Sequence, residues 1–159
     1  MHNGPNVIAY DGSPAADRAI RESAPLLANR PALVVVVWEA GQAYGGLLNA
    51  DVDFEPAALE YRRGIELDLA MYDEACRLAQ QGAEIARKLG VAAEAIAVAD
   101  EVTVAETLVR LAEEKDAVSL VMGTPRKHLL TDLRLGSTTR HVVRHAQCPV
   151  VVVSEPSEG

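Results

Sequence analysis

The stretch MGTPRKHLLTDLRLGSTT, residues 122–139, decides how the rest of the chain is read. An apolar run ends at Gly123, a polar connection follows, and a helical pattern opens at Gly136 and Ser137. The stretch also inverts the charge of the protein. Between residues 123 and 148 five bases (Arg126, Lys127, Arg134, Arg140, Arg144) meet one acid (Asp132). That is a local charge of +4 in a chain of formal net charge −8, which leaves −12 on the remainder. Three of the four histidines, His128, His141 and His145, lie in the same island. The first N–H groups of a helix have no partner within the helix, and the helix dipole favours negative charge there. A basic island ending at a helix start is therefore expected to bind an anion.

Working outward, the chain alternates short apolar runs with helical patterns. Residues 6–10, NVIAY, read as a strand, and Asp11-Gly12-Ser13-Pro14 as a turn. Ser13 suits an N-cap and Pro14 the first helical position. Ala16, Ala19, Ile20, Ala24 and Leu27 then recur at helical spacing up to a stop at residues 29–31. Residues 33–38, LVVVVW, are expected to form a central strand covered on both faces. Residues 39–55 read as an irregular connection containing Gly41, Gly45, Gly46 and Asn49, long enough to suggest a lid beside the ligand. Residues 56–89 form a helix whose periodic set is Ile65, Leu69, Tyr72, Cys76, Ala79, Ala83 and Ala86. Gly64 is its expected kink and Gly90 its C-cap.

A weaker strand covers residues 91–98, and Thr103 with Glu106 makes a capping box ahead of Leu108, Leu111 and Ala112. Residues 117–122 and 149–153 are the last two strands, with a short helix over residues 137–146 between them and a frayed tail at 154–159. This order predicts an open, mostly parallel α/β sheet with helices on both faces and one domain spanning residues 1–159. In such sheets the ligand sits outside the carboxyl ends of the strands, where Asp11, Val37 and Gly123 fall.

Composition narrows the function. The acidic balance argues against nucleic acid, which needs a basic face to neutralise phosphates. The apolar runs are too short to span a bilayer, and no leader pattern opens the chain, so a soluble cytoplasmic protein is expected. Cys76 and Cys148 form no ligand pattern and fit idle thiols in a reducing compartment.

The opening VIAYDGSPAADRAI and the segment VMGTPRKHLLTDLRLGSTTRHVVRHAQCPVVVV together resemble the universal stress protein family. That resemblance implies a five-stranded parallel sheet of order 3-2-1-4-5, Rossmann-like, with helices on both faces. Nucleotide-binding members carry a glycine, two residues, a second glycine, nine residues, then Gly-Ser or Gly-Thr. Here Gly123 takes the first position, Arg126 stands where the second glycine would be, and nine residues separate it from Gly136-Ser137. The resemblance implies ATP as ligand, with Mg²⁺ as its possible companion, held by Met122, Gly123, Gly136, Ser137 and Thr138. Asp11 would meet the nucleoside, Val37 the adenine, and Arg126 and Lys127 the phosphate charge. It also implies a homodimer through Pro149 and the four valines up to Val153.

Each assignment has a plainer reading beside it. Asp11 can be a turn aspartate, Val37 a core valine, and Ser137 a simple N-cap. His141 and His145 are spaced to hold a metal, but no third ligand is evident, so no metal site is assigned. The hydroxyls of Ser13 and Ser137 have no evident base, so no catalytic residue is assigned. Arginine at position 126 and Pro125, which lacks an N–H, keep a rival open: a nucleotide-free stress protein acting through a dimer or partner. A weak ATPase ranks last.

Overall fold

The computed structural model describes residues 2–27, 29–41, 54–125 and 136–155. Five strands are built from the apolar runs: β1 (Asn6–Ala9), β2 (Ala32–Trp38), β3 (Ala93–Ala99), β4 (Ser119–Thr124) and β5 (Val150–Ser154). All neighbours are parallel, in the order β3-β2-β1-β4-β5. The order 3-2-1-4-5 expected of the sequence is the order found. β1 lies between β2 and β4, with Val7 beside Leu33 on one side and Leu120 on the other.

The helices are α1 (Pro14–Ser23), α2 (Phe54–Lys88), α3 (Val104–Glu114) and α4 (Ser137–His145). Successive residues of a strand point to opposite faces, so a strand covered on both sides must be apolar throughout. Ile8, Tyr10, Val34, Val36 and Val121 pack under α1 and α2 with Ala19, Ile20 and Ala83. Val7, Leu33, Val35, Leu120 and Met122 pack under α3 and α4 with Leu108 and Val142. Ile8, Leu108 and Leu120 are among the largest fully buried side chains. Each is worth about 1.5–3 kcal/mol relative to an exposed one.

Three local expectations are corrected. α1 stops at Ser23, and a 3-10 turn over Ala24–Leu26 containing Pro25 carries the chain to Leu27. Helix α2 passes through Gly64 without a break, as one 35-residue element that begins at Phe54, inside the expected loop. Residues 42–53 of that loop, and with them the lid idea, lie outside the described residues.

The third correction concerns the face of α2. Its C-terminal half buries Ala79, Ala83 and Ala86, as the spacing predicts, but Ala75 in place of the half-buried Cys76, and Ile65, Leu69 and Tyr72 are exposed. The reason is length. Thirty-five residues of helix extend about 52 Å, while the seven residues of β2 extend only about 23 Å. Tyr72 stacks at a tilt on Trp38, the last residue of β2, with ring centroids 5.9 Å apart. Everything N-terminal to Tyr72 therefore runs on past the carboxyl edge of the sheet.

Candidate functional site

The carboxyl ends of β2, β1 and β4 are adjacent, so Val37, Asp11 and Gly123 are brought to one edge of the sheet. The turn between β1 and α1 is bound up in itself. Asp11 is exposed, and its Oδ1 accepts from the Ser13 N–H at 2.9 Å. Ser13 caps α1, its Oγ accepting from the Ala16 N–H at 3.2 Å. Gly12 makes the turn with φ of 78°, a left-handed conformation that side chains rarely adopt. Asp11 thus performs the plain turn role, and its other carboxylate oxygen accepts from none of the described residues.

Behind this turn lies a contact that sequence reasoning missed. The buried Tyr10 hydroxyl donates to Asp17 Oδ1 of α1 at 2.5 Å, and Gln81 of α2 donates to it at 3.4 Å. Burial first, and the Asp17 carboxylate second, push the phenol up to about 12. The only signal in the sequence was alternation, which puts Tyr10 on the Ile8 face and so under α1 and α2.

Val37 is half-buried and packs with the α3/α4 layer, as do its cross-strand partner Val98 and Ala9. These three partly open apolar side chains form a floor at the carboxyl edge, of which only Val37 was singled out from sequence. Met122 is buried in the same layer. Gly123 is a residue of β4, paired with Val153 of β5. A Cβ on Gly123 would collide with the carbonyl of Ala15 and stand 3.1 Å from the Ala16 nitrogen. Its lack of a side chain is therefore accounted for by the close crossing of β4 under α1, a fold requirement that motif spacing did not reveal.

The start of α4 is built differently. Its N-cap is Gly136, not Ser137, which occupies the first helical position. Gly136 has φ of −56° and ψ of 163°, ordinary extended backbone, and a Cβ there would meet none of the described residues within 4 Å. Among the described residues no side chain caps this helix, and no acid stands in its first turn. In α1 and α3 the first turn holds Asp17 and Glu106, and the caps Ser13 and Thr103 accept backbone N–H groups. Ser137 is exposed, Thr138 half-buried and Thr139 buried. The described residues thus leave room and positive dipole for an anionic group at Gly136, Ser137 and Thr138. Arg126 and Lys127 lie outside the described residues.

The histidine pair is accounted for locally. His141 and His145 stack with centroids 4.1 Å apart, and His145 Nδ1 lies 2.8 Å from the His141 carbonyl oxygen. Among the described residues no three His, Cys, Asp or Glu side chains group as metal ligands, and no helix is long and apolar enough to cross a membrane.

Comparison with known proteins agrees with this architecture. A universal stress protein of Methanocaldococcus jannaschii, MJ0531, is 43% identical over 54 residues, 34% of this chain; the match spans only about a third, 32%, of that protein. The structure of a universal stress protein from Archaeoglobus fulgidus superposes with a TM-score of 0.68 at 26% identity, covering 94% of this chain and 98% of the other. A universal stress protein from Archaeoglobus fulgidus in complex with dAMP gives a TM-score of 0.61 at 24% identity, covering 96% and 98%. The model of the universal stress protein family matches residues 6–154, from the first residue of β1 to the last of β5, and the chain belongs to that family.

Proposed function

We propose that the chain acts as a single domain that binds an adenine nucleotide, ATP, at the carboxyl edge of the sheet, as a regulatory module of the stress response. The observation that carries this reading is Gly136. Among the described residues, neither its φ nor its surroundings require a glycine, and no side chain caps the helix it opens. A missing side chain that the fold does not need leaves space for something outside the chain. The dAMP held by the Archaeoglobus fulgidus protein supports an adenine nucleotide as that something.

In this reading the phosphates meet the N–H groups and hydroxyls of Gly136, Ser137 and Thr138. Arg126 and Lys127 neutralise them. The uncommitted oxygen of Asp11 accepts from the nucleoside, and the adenine lies on Val37 beside Met122 and Gly123. Mg²⁺ would enter with the phosphates rather than on a protein carboxylate group. Cys76 and Cys148, both free thiols, suit a reducing cytoplasm. Among the described residues β5 pairs only with β4, and an apolar edge strand invites a partner. Antiparallel pairing of β5 with β5 of a second copy across a two-fold axis would make the homodimer. Sedimentation as a monomer at every concentration would remove that part.

Arg126 and Pro125 favour the rival, a nucleotide-free module, because one adds bulk and the other removes an N–H. Calorimetric titration with ATP at low and high salt separates the two. Wild type is expected to bind weakly and with strong salt dependence, and Arg126→Gly to bind more tightly by admitting backbone to the phosphates. Weaker binding by Arg126→Gly would make the arginine a phosphate ligand. No binding by either protein, for ATP, ADP or AMP, would leave the nucleotide-free reading standing.

A further inference from the structure

Helix α2 carries an apolar stripe that its own sheet does not reach. Tyr61, Ile65, Leu69 and Tyr72 stand at helical spacing, and at about 100° per residue they fall within about 80° of arc. All four are exposed, Leu69 to 58%. The stripe is continuous with the half-buried Cys76 and with Ala79 and Ala83, which pack on the sheet. It is the buried face of α2 carried on past the carboxyl edge, where none of the described strands lies beneath it. Scattered exposed apolar side chains are ordinary, but a run of them along one helix face is a contact surface.

The charges beside the stripe say what it meets. One flank turns toward the body of the protein: Gly64 and Ala75 are buried, Asp68 and Met71 half-buried, and Asp68 Oδ1 accepts from the Gly41 N–H at 3.2 Å. The other flank is exposed and holds Arg62, Glu66 and Asp73. Arg62 and Asp73 are separated by about three turns, so they lie on one line along the helix with opposite signs. Neither makes an ion pair with the described residues.

A second copy of the helix, run antiparallel about a two-fold axis midway between Ile65 and Leu69, matches this pattern. Ile65 then meets the partner's Leu69, and Tyr61 lies beside the partner's Tyr72. Arg62 comes level with the partner's Asp73 to within about 1.5 Å along the axis, and the symmetry makes that pairing twice. Parallel helices would instead set Arg62 against Arg62 and Asp73 against Asp73. Glu66 does meet its own copy near the axis, and Arg62 one turn away on the same flank offsets that charge. Four turns on each side bury less than a standard interface of about 1,200–2,000 Å², so the contact is reversible and grows with concentration.

We infer that the overrun of α2 is a self-association surface for a second copy of this chain, antiparallel and isologous. It uses a different element from β5, so it stands or falls separately from the homodimer proposed above.

Sedimentation velocity from micromolar to near-millimolar protein, paired with ¹⁵N spectra over the same range, tests it. The sedimenting mass should rise with concentration, whether the starting unit is one chain or a β5-paired dimer, and the amides of residues 61–76 should shift with that rise. Leu69→Glu should weaken the association at least about tenfold. Arg62→Asp and Asp73→Arg should each weaken it by about tenfold, and the double swap should recover it to within about threefold of wild type. All three positions are exposed, so the fold should tolerate these changes. The inference fails if the amides of residues 61–76 do not move with concentration, if Leu69→Glu associates as wild type does, or if the double swap stays as weak as the single ones.

Discussion

At the junction of β1 with α1, Asp11 takes the Ser13 N–H, Ser13 takes the Ala16 N–H, and Asp17 stands in the first helical turn. At the entry to α4 a glycine stands at the cap, no acid follows, and no side chain of the described residues closes the helix end. The two junctions reach the same edge of one sheet and serve the same step of the topology. The first has used its donors and its dipole on its own chain, and so is stable and closed to anions. Among the described residues the second keeps both unused. A helix start that stays unsatisfied gives up stability of about 1 kcal/mol, which a cap would supply. The difference teaches that the place to look for the ligand is the junction that folds less well than it could.

Four substitutions would break or sharpen that contrast. Gly123→Ala should have the largest effect. Its Cβ would enter the Ala15 carbonyl, so β4 and α1 must part, at a cost of about 3 kcal/mol by urea denaturation. A cost near zero would mean that the close crossing is not as described.

Tyr10→Phe comes next. It removes the bond that ties the closed junction to Asp17, a loss of about 2 kcal/mol for a hydrogen bond to a charged group. The pH dependence has a definite sign. The folded phenol titrates at about 12, above its ordinary value of 10.0, so the folded state holds the proton more tightly. That stability is fully present below pH 10.0 and is lost as pH rises toward about 12. Stability of Tyr10→Phe should decline less over that window, and parallel curves for the two proteins would refute the linkage.

Gly136→Asp turns the open junction into a closed one. A carboxylate cap should stabilise the protein by about 0.5–1 kcal/mol. It should also weaken ATP at least about tenfold by occupying the N–H groups and repelling phosphate. Unchanged affinity would place the phosphates elsewhere. Ser13→Ala is the smallest change: about 1 kcal/mol of stability, with ATP affinity as in wild type.

Much of the fold was legible because its strands are covered on both faces and so appear as runs such as LVVVVW. The Ser13 and Thr103 caps were legible for the same local reason, since side chain and backbone partner lie three residues apart. What could not be read depends on crossings between distant segments. Gly123 looked like a ligand glycine because spacing carries no information about Ala15 passing over it. Gly136 was expected to hold phosphate, and its spacing carried no sign that the backbone there is ordinary. In α2 the repeat that marks a buried face continues through Ile65, Leu69 and Tyr72, but periodicity does not say where the sheet beneath it ends.

The overrun of α2 also gives the helix two lifetimes. From Ala75 onward its amide hydrogens are shielded by alanines lying flat on the sheet, so they should exchange only when the whole molecule unfolds. Ahead of Tyr72 the same continuous ladder of backbone bonds has water around most of its side chains, and those turns can open one after another while the sheet stays intact. A single helix should thus show protection that climbs along its length, steepest near the Trp38 contact, where the ladder first gains a solid support.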